Sequence, residues 1–96
     1  MTKIERYPFP GTVRIPHGAK FIDIVNDSGQ DFAYYAVDPD VIEAYNVTLT
    51  HRSVGDVLNY PRALNIEFLC VSNYRRNGQP QVLVAVYLPE SESIPE

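Results

Sequence analysis

Proline or glycine interrupts this chain so often that long regular elements have little room. Pro8, Pro10, Gly11, Pro16, Gly18, Gly29, Pro39, Gly55, Pro61, Gly78 and Pro80 separate short segments rich in Val, Ile, Tyr and Phe. Strands of roughly five to nine residues joined by frequent turns produce this texture. The expected fold is mainly β: a small antiparallel sheet or meander of about five to six strands with a C-terminal hairpin and at most one or two short helical turns.

The clearest local signal is the stretch "SNYRRNGQPQVLVAVYL", residues 72–88. Asn77–Gly78 is the preferred dipeptide of a two-residue type I′ hairpin, because both turn positions need φ > 0. Continued without interruption, that turn sets Arg76 opposite Gln79, Tyr74 opposite Gln81, Asn73 opposite Val82, Val71 opposite Val84, Leu69 opposite Val86 and Phe68 opposite Tyr87. The stem is then apolar on both faces and polar only towards its tip. A hairpin with one solvated face should alternate instead, so the second face needs a cover. A second sheet layer of the same chain would provide one; a partner or second copy, favoured for so short a chain, would provide another.

Earlier segments read in the same way. "KIERYPF" (3–9) is a first strand whose prolines suit a sheet edge, and "TVRIP" (12–16) is a short extended piece. "KFIDIVND" (20–27) places Ile22 and Ile24 on one face and Phe21, Asp23 and Val25 on the other. "DSGQD" (27–31) is a hairpin turn. "FAYYAVD" (32–38), apolar on both faces, is its return strand and a central one. Asp38 before Pro39 fits a cap on one helical turn. Tyr45, Val47 and Leu49 form the buried face of a strand over 45–52. Ser53 followed by Asp56 offers a weak capping box for a second short helix or a turn-like loop.

At 96 residues, 45% of them hydrophobic, the chain is sized for one domain with a small core. The reading assigns residues 1–88 to that domain and 89–96 to an acidic, frayed tail. Net charge is −4, but the tail carries Glu90, Glu92 and Glu96, leaving 9 acidic against 8 basic residues elsewhere. Such a body lacks the clustered bases that a phosphate backbone requires, which argues against nucleic acid as partner. No apolar run approaches a membrane span and no leader pattern opens the chain, so the reading is soluble and cytosolic. Cys70, the single cysteine, lies in an apolar run and reads as a small buried hydrophobe.

No catalytic constellation emerges, and the reading is of a non-enzyme with no cofactor. His17 and His51 lie far apart without metal-ligand spacing, and nucleophile-elbow, dinucleotide and P-loop signatures are absent. Asp38 and Asp40 read as turn residues around Pro39. Tyrosine is the enriched type, seven residues in a chain without tryptophan. Its rigid ring and hydroxyl suit both strand packing and contact surfaces. The candidate contact residues for a partner or ligand are Tyr34, Arg52, Tyr74, Arg75 and Arg76. The tyrosines could stack on a base and the arginines meet phosphate or an acidic partner.

"IERYPF", "VRIPHGAKFIDIVNDSGQDFAYYAVDP", "HRSVGD" and "VLVAVYL" together resemble a family of small phage and prophage proteins of unknown function. This chain has a single glycine, Gly55, where the family pattern approaches G-x-G, and a longer polar stretch, "SNYRRNGQPQ", in its closing hairpin. The resemblance implies an accessory protein made in a host bacterial cytoplasm that acts by binding. The first expectation is inhibition of a host anti-phage defence protein. A signalling-nucleotide sequestering protein and a virion structural or assembly protein are the alternatives, with self-association expected in a homodimer.

Overall fold

A computed structural model describes residues 1–89; within it, the side chains of Asn73 and Tyr74 also lie outside the described set, as does the acidic tail from Glu90. Among the described residues there are seven strands and no helix: β1 (Lys3–Phe9), β2 (Gly11–Pro16), β3 (Lys20–Asp27), β4 (Gln30–Val37), β5 (Ala44–Ser53), β6 (Asn65–Arg76) and β7 (Gln79–Leu88). The protein is mainly β and antiparallel, as its punctuation requires. The strands divide between a three-stranded sheet, β1-β4-β3, and a four-stranded sheet, β2-β5-β7-β6. The shortest dimension of the molecule is 19 Å, that of two stacked layers.

Turn chemistry sets the two hairpins. Ser28 and Gly29 link β3 to β4 with φ of 53° and 87°, and Asn77 and Gly78 link β6 to β7 with φ of 52° and 77°. Both are two-residue turns with positive φ at each centre, whose twist matches that of the paired strands. The other expected turns do not become helices. Asp38 Oδ1 accepts from the Asp40 amide at 3.0 Å and the Asp38 carbonyl from Val41 at 3.1 Å, closing a turn that leads directly to β5. The Ser53 amide donates to Asp56 Oδ2 at 2.8 Å. The Ser53 hydroxyl, which a capping box would direct at the following backbone, instead exchanges hydrogen bonds with the Gln81 side chain, at 2.8 Å with its Nε2. That exchange satisfies Gln81, a buried polar residue near the hairpin tip.

Two registers differ from the sequence reading. In β3 an irregularity between Phe21 and Asp23 resets the alternation. Phe21 and Ile24 pack on the core, while Ile22 and Val25 are exposed. In the closing hairpin Arg76↔Gln79 holds, but shifts between Ser72 and Arg75 and between Phe68 and Cys70 move the stem. Val71 faces Val82 rather than Val84, and Phe68 faces Val84 rather than Tyr87. Bulges insert unpaired residues into one strand, and an edge strand accepts them most readily.

The core lies between the sheets. Tyr35, Ala33, Val37 and Phe9 from the three-stranded sheet meet Ile15, Val47, Leu49, Leu83 and Ala85 from the other. Tyr35 is centred there, edge-to-face with Tyr7 at 5.7 Å and Phe21 at 5.6 Å. Cys70 and Leu69 pack against this cluster from β6, and burial pushes the Cys70 thiol pKa up. On the outer side of β7, Val84 and Val86 are fully buried too. β5 and β6 flank β7 and both run antiparallel to it, so residues 54–64 must cross β7 to connect them. Arg52, on the outer face by its pairing with Val82, donates to the Tyr60 hydroxyl and stacks over the Tyr60 ring. That contact places the crossover on the outer face, so the two-sided apolar character of β7 is met within the chain.

Removing a core side chain leaves a cavity between two sheets that cannot readily close. Leu83→Ala should lose about 2–5 kcal/mol of stability by urea denaturation. Gly78→Ala tests the turn: a Cβ there meets nothing within 4 Å, so its cost is backbone conformation alone, about 1–2 kcal/mol with no change in the denaturant slope.

Candidate functional site

The residues singled out in the sequence do not converge. Tyr34 is half-buried on the outer face of the three-stranded sheet, where its row partner Arg6 stacks 4.1 Å over Phe32 and bonds Asp27 at 3.1 Å. Arg52 lies on the outer face of the opposite sheet, held by Tyr60. Arg75 and Arg76 are exposed at the hairpin end, and Arg75 Nη1 curls back to the Gly78 carbonyl at 3.2 Å. Tyr74 falls within β6, but its side chain is outside the described residues. Arg52 and Arg75 share one face of one sheet; Tyr34 is a full sandwich thickness away.

Two other places carry more of the chemistry. The first is the outer face of β6, an edge strand. Phe68 and Val71 share this face through their pairing with Val84 and Val82, yet they are 65% and 69% exposed while Val84 is fully buried. The crossover therefore covers Val84 and Val86 of β7 and leaves Phe68 and Val71 of β6 open, with Ile66 half-buried. Val54 and Val57, on the crossover itself, are also exposed.

The second is a cavity of about 240 Å³ at the end of the sandwich where β2 turns into β3. It is bounded by Pro16, Gly18 and Ala19, by Tyr45 of β5, by Leu64, Asn65 and Glu67, and by Tyr87 of β7. The His17 amide donates to the Glu43 carbonyl at 2.9 Å, tying the β2–β3 turn to β5. The His17 ring then stacks on Tyr45 at 3.9 Å and 24°, and Tyr45 meets Tyr87 edge-on at 5.5 Å. The Leu64 amide donates to the Tyr87 carbonyl at 2.8 Å, aligning the start of β6 with β7. The Tyr87 hydroxyl donates to Glu67 Oε1 at 3.1 Å.

Burial dominates the titration behaviour here. It pushes Tyr87 up to about 12, the neighbouring Tyr35 hydroxyl opposes the rise, and the Glu67 carboxylate adds to it. Tyr35, fully buried behind it, is raised further still, by burial first and then by Tyr87. The Tyr35 hydroxyl is buried without a hydrogen-bond partner. At the opposite end of the core, His51 packs edge-on against Phe9 at 4.4 Å, and burial lowers its pKa.

Among the described residues no group of three or more His, Cys, Asp and Glu is arranged to hold a metal ion, and no helix is long and apolar enough to cross a membrane. Comparison with protein-family models, with curated proteins and with solved structures finds no match. The β6 surface was partly legible in the apolar hairpin stem, but the cavity was not. Its walls come from four separated segments, and no local pattern in the sequence links Tyr45, Glu67 and Tyr87.

The raised Tyr87 pKa has a sign. The native state favours the neutral phenol, so its contribution is complete below pH 10, the ordinary tyrosine value, and is lost as pH rises through about 12. Spectrophotometric titration of the folded protein should show a tyrosine ionising near pH 12, absent in Tyr87→Phe. Stability in Tyr87→Phe should fall less steeply across that window.

Proposed function

We propose that this chain is a non-catalytic binding module that engages another protein through the outer face of β6. The observation that carries the reading is the exposure of Phe68 and Val71 beside a fully buried Val84 row. Large side chains left open on a sheet edge are the ordinary anchors of a protein interface, where burial supplies the affinity and unpaired backbone groups the register. The other three edges are guarded along their length, while the charges of β6 stand near its two ends, at Glu67 and at Arg75 and Arg76. β1 bears Lys3, Arg6 and Pro8; β2 bears Arg14 and Pro16; β3 bears Lys20, Asp23 and Asp27. Charge and proline on an edge discourage strand addition, whereas "FLCV" at 68–71 has neither.

With the sequence resemblance to small phage proteins, the reading becomes a phage accessory protein of the host cytoplasm that occludes a component of anti-phage defence. Nucleotide sequestration has less support, since Tyr34 and the arginines lie on different sheets. Self-association through the same edge is the competing use of this surface.

The test is a paired substitution, Phe68→Glu with Val71→Glu, on exposed positions that should leave folding intact. Expression of the native chain should relieve a defence system's block on phage growth and co-purify its target; the double variant should lose both. Retention of both by a folded double variant would overturn the β6 assignment. Light scattering on each protein shows whether the edge pairs with a second copy instead, in which case the native chain is a dimer and the variant a monomer.

A further inference from the structure

The cavity between the β2–β3 turn and the strand ends has a lining of definite electrostatic character. It presents one carboxylate, Glu67, two tyrosine rings, the Asn65 amide, and the apolar walls of Pro16, Ala19 and Leu64. None of the described residues lining it is Lys or Arg. A tyrosine face carries the negative side of the ring quadrupole and attracts cations, and an ionised carboxylate can only accept hydrogen bonds. Every strong feature of the lining therefore favours a positively charged donor group, and a phosphate would meet only repulsion from Glu67.

We propose that this cavity binds a small organic cation, an ammonium or guanidinium group on a short aliphatic or single-ring body. At 240 Å³ it falls below the roughly 300–1,000 Å³ of pockets that take drug-sized ligands, which limits the body to a few carbons or one ring. Glu67 receives the cationic head. The carboxylate is oriented for this by Tyr87, whose hydroxyl occupies Oε1 and leaves the other oxygen for the ligand. Tyr45 supplies the wall for the body of the ligand, and its ring is held by the His17 stack and the edge-to-face contact with Tyr87. The head group's chemistry is shared by free amines and by the lysine or arginine side chain of a polypeptide.

The experiment is amide NMR on the labelled native chain, titrated with agmatine, tyramine and N-acetyl-lysine amide, and with AMP and inorganic phosphate as anionic counterparts. At least one cation should move the Gly18, Ala19 and Asn65 signals saturably at millimolar concentration, while AMP and phosphate leave them in place. Glu67→Gln, at an exposed position, should weaken that cation about tenfold or more by removing a charge-assisted hydrogen bond. Tyr45→Leu should weaken it separately through loss of the ring. Preference for the lysine derivative assigns the site to a polypeptide side chain, and preference for agmatine or tyramine to a free amine; both support the proposal. Cations that move none of these signals, anions that move them equally, or unchanged affinity in folded Glu67→Gln would each overturn it.

Discussion

Burial of β7 on both faces is the constraint from which the rest of the architecture follows. Leu83 and Ala85 point to one side and Val84 and Val86 to the other, and all four are fully buried. A central strand of this kind needs two covers, and a short chain must find both. The three-stranded sheet is one, with Tyr35 in the same core cluster as Leu83 and Ala85. The crossover of residues 54–64 is the other, fastened by Arg52 and Tyr60. Because a crossover has too little apolar bulk to cover two whole rows of side chains, Phe68 and Val71 of β6 stay open. The exposed Phe68 and Val71 are thus a consequence of how β7 is buried.

Turns were legible because their determinants are local. Ser28–Gly29 and Asn77–Gly78 meet a backbone requirement that the dipeptide itself satisfies. The central position of β4 was legible from its apolar run, although only its Tyr35 side is covered by the second sheet and Tyr34 stays half-buried on the outer face. Register was not local. From Ser72 to Arg76 the strand is largely polar, so no burial energy penalises a slip there, and the bulge falls where the sequence is indifferent to pairing. Its effect is felt further along, where Val71 and Phe68 take new partners. The β3 bulge has the opposite origin. It turns both Phe21 and Ile24 to the core, which strict alternation cannot do, and the apolar gain on that face outweighs one lost pairing.

The arginine pair at the hairpin tip illustrates how a conspicuous sequence feature can be structurally quiet. Arg75 bonds back to the turn it flanks, and both arginines stand on the strand whose middle is unguarded. Charge at the end of an exposed edge limits open-ended strand addition. In the cavity the relation is reversed: no pattern in the sequence singles out Glu67 or Asn65, and they become distinctive only because β7 lies beside them and the β2–β3 turn closes the same cavity.

These two surfaces meet on one strand, and that shared strand ties them mechanically. Glu67 faces the inner side through its pairing with Ala85, while Phe68 faces the outer side through Val84. Adjacent strand residues point to opposite faces, so anything that shifts the first half of β6 moves both at once. The bulge between Phe68 and Cys70 lies immediately beyond them, and the edge position leaves β6 paired on one side only. The segment from Asn65 to Phe68 is therefore held by β7 pairing, the Leu64 amide bond and the Tyr87–Glu67 contact. A cation on Glu67 would load the last of these, and the orientation of Phe68 depends on the same short stretch of backbone. Coupling between the cavity and the exposed β6 face needs no long pathway in this fold, because Glu67 and Phe68 are consecutive.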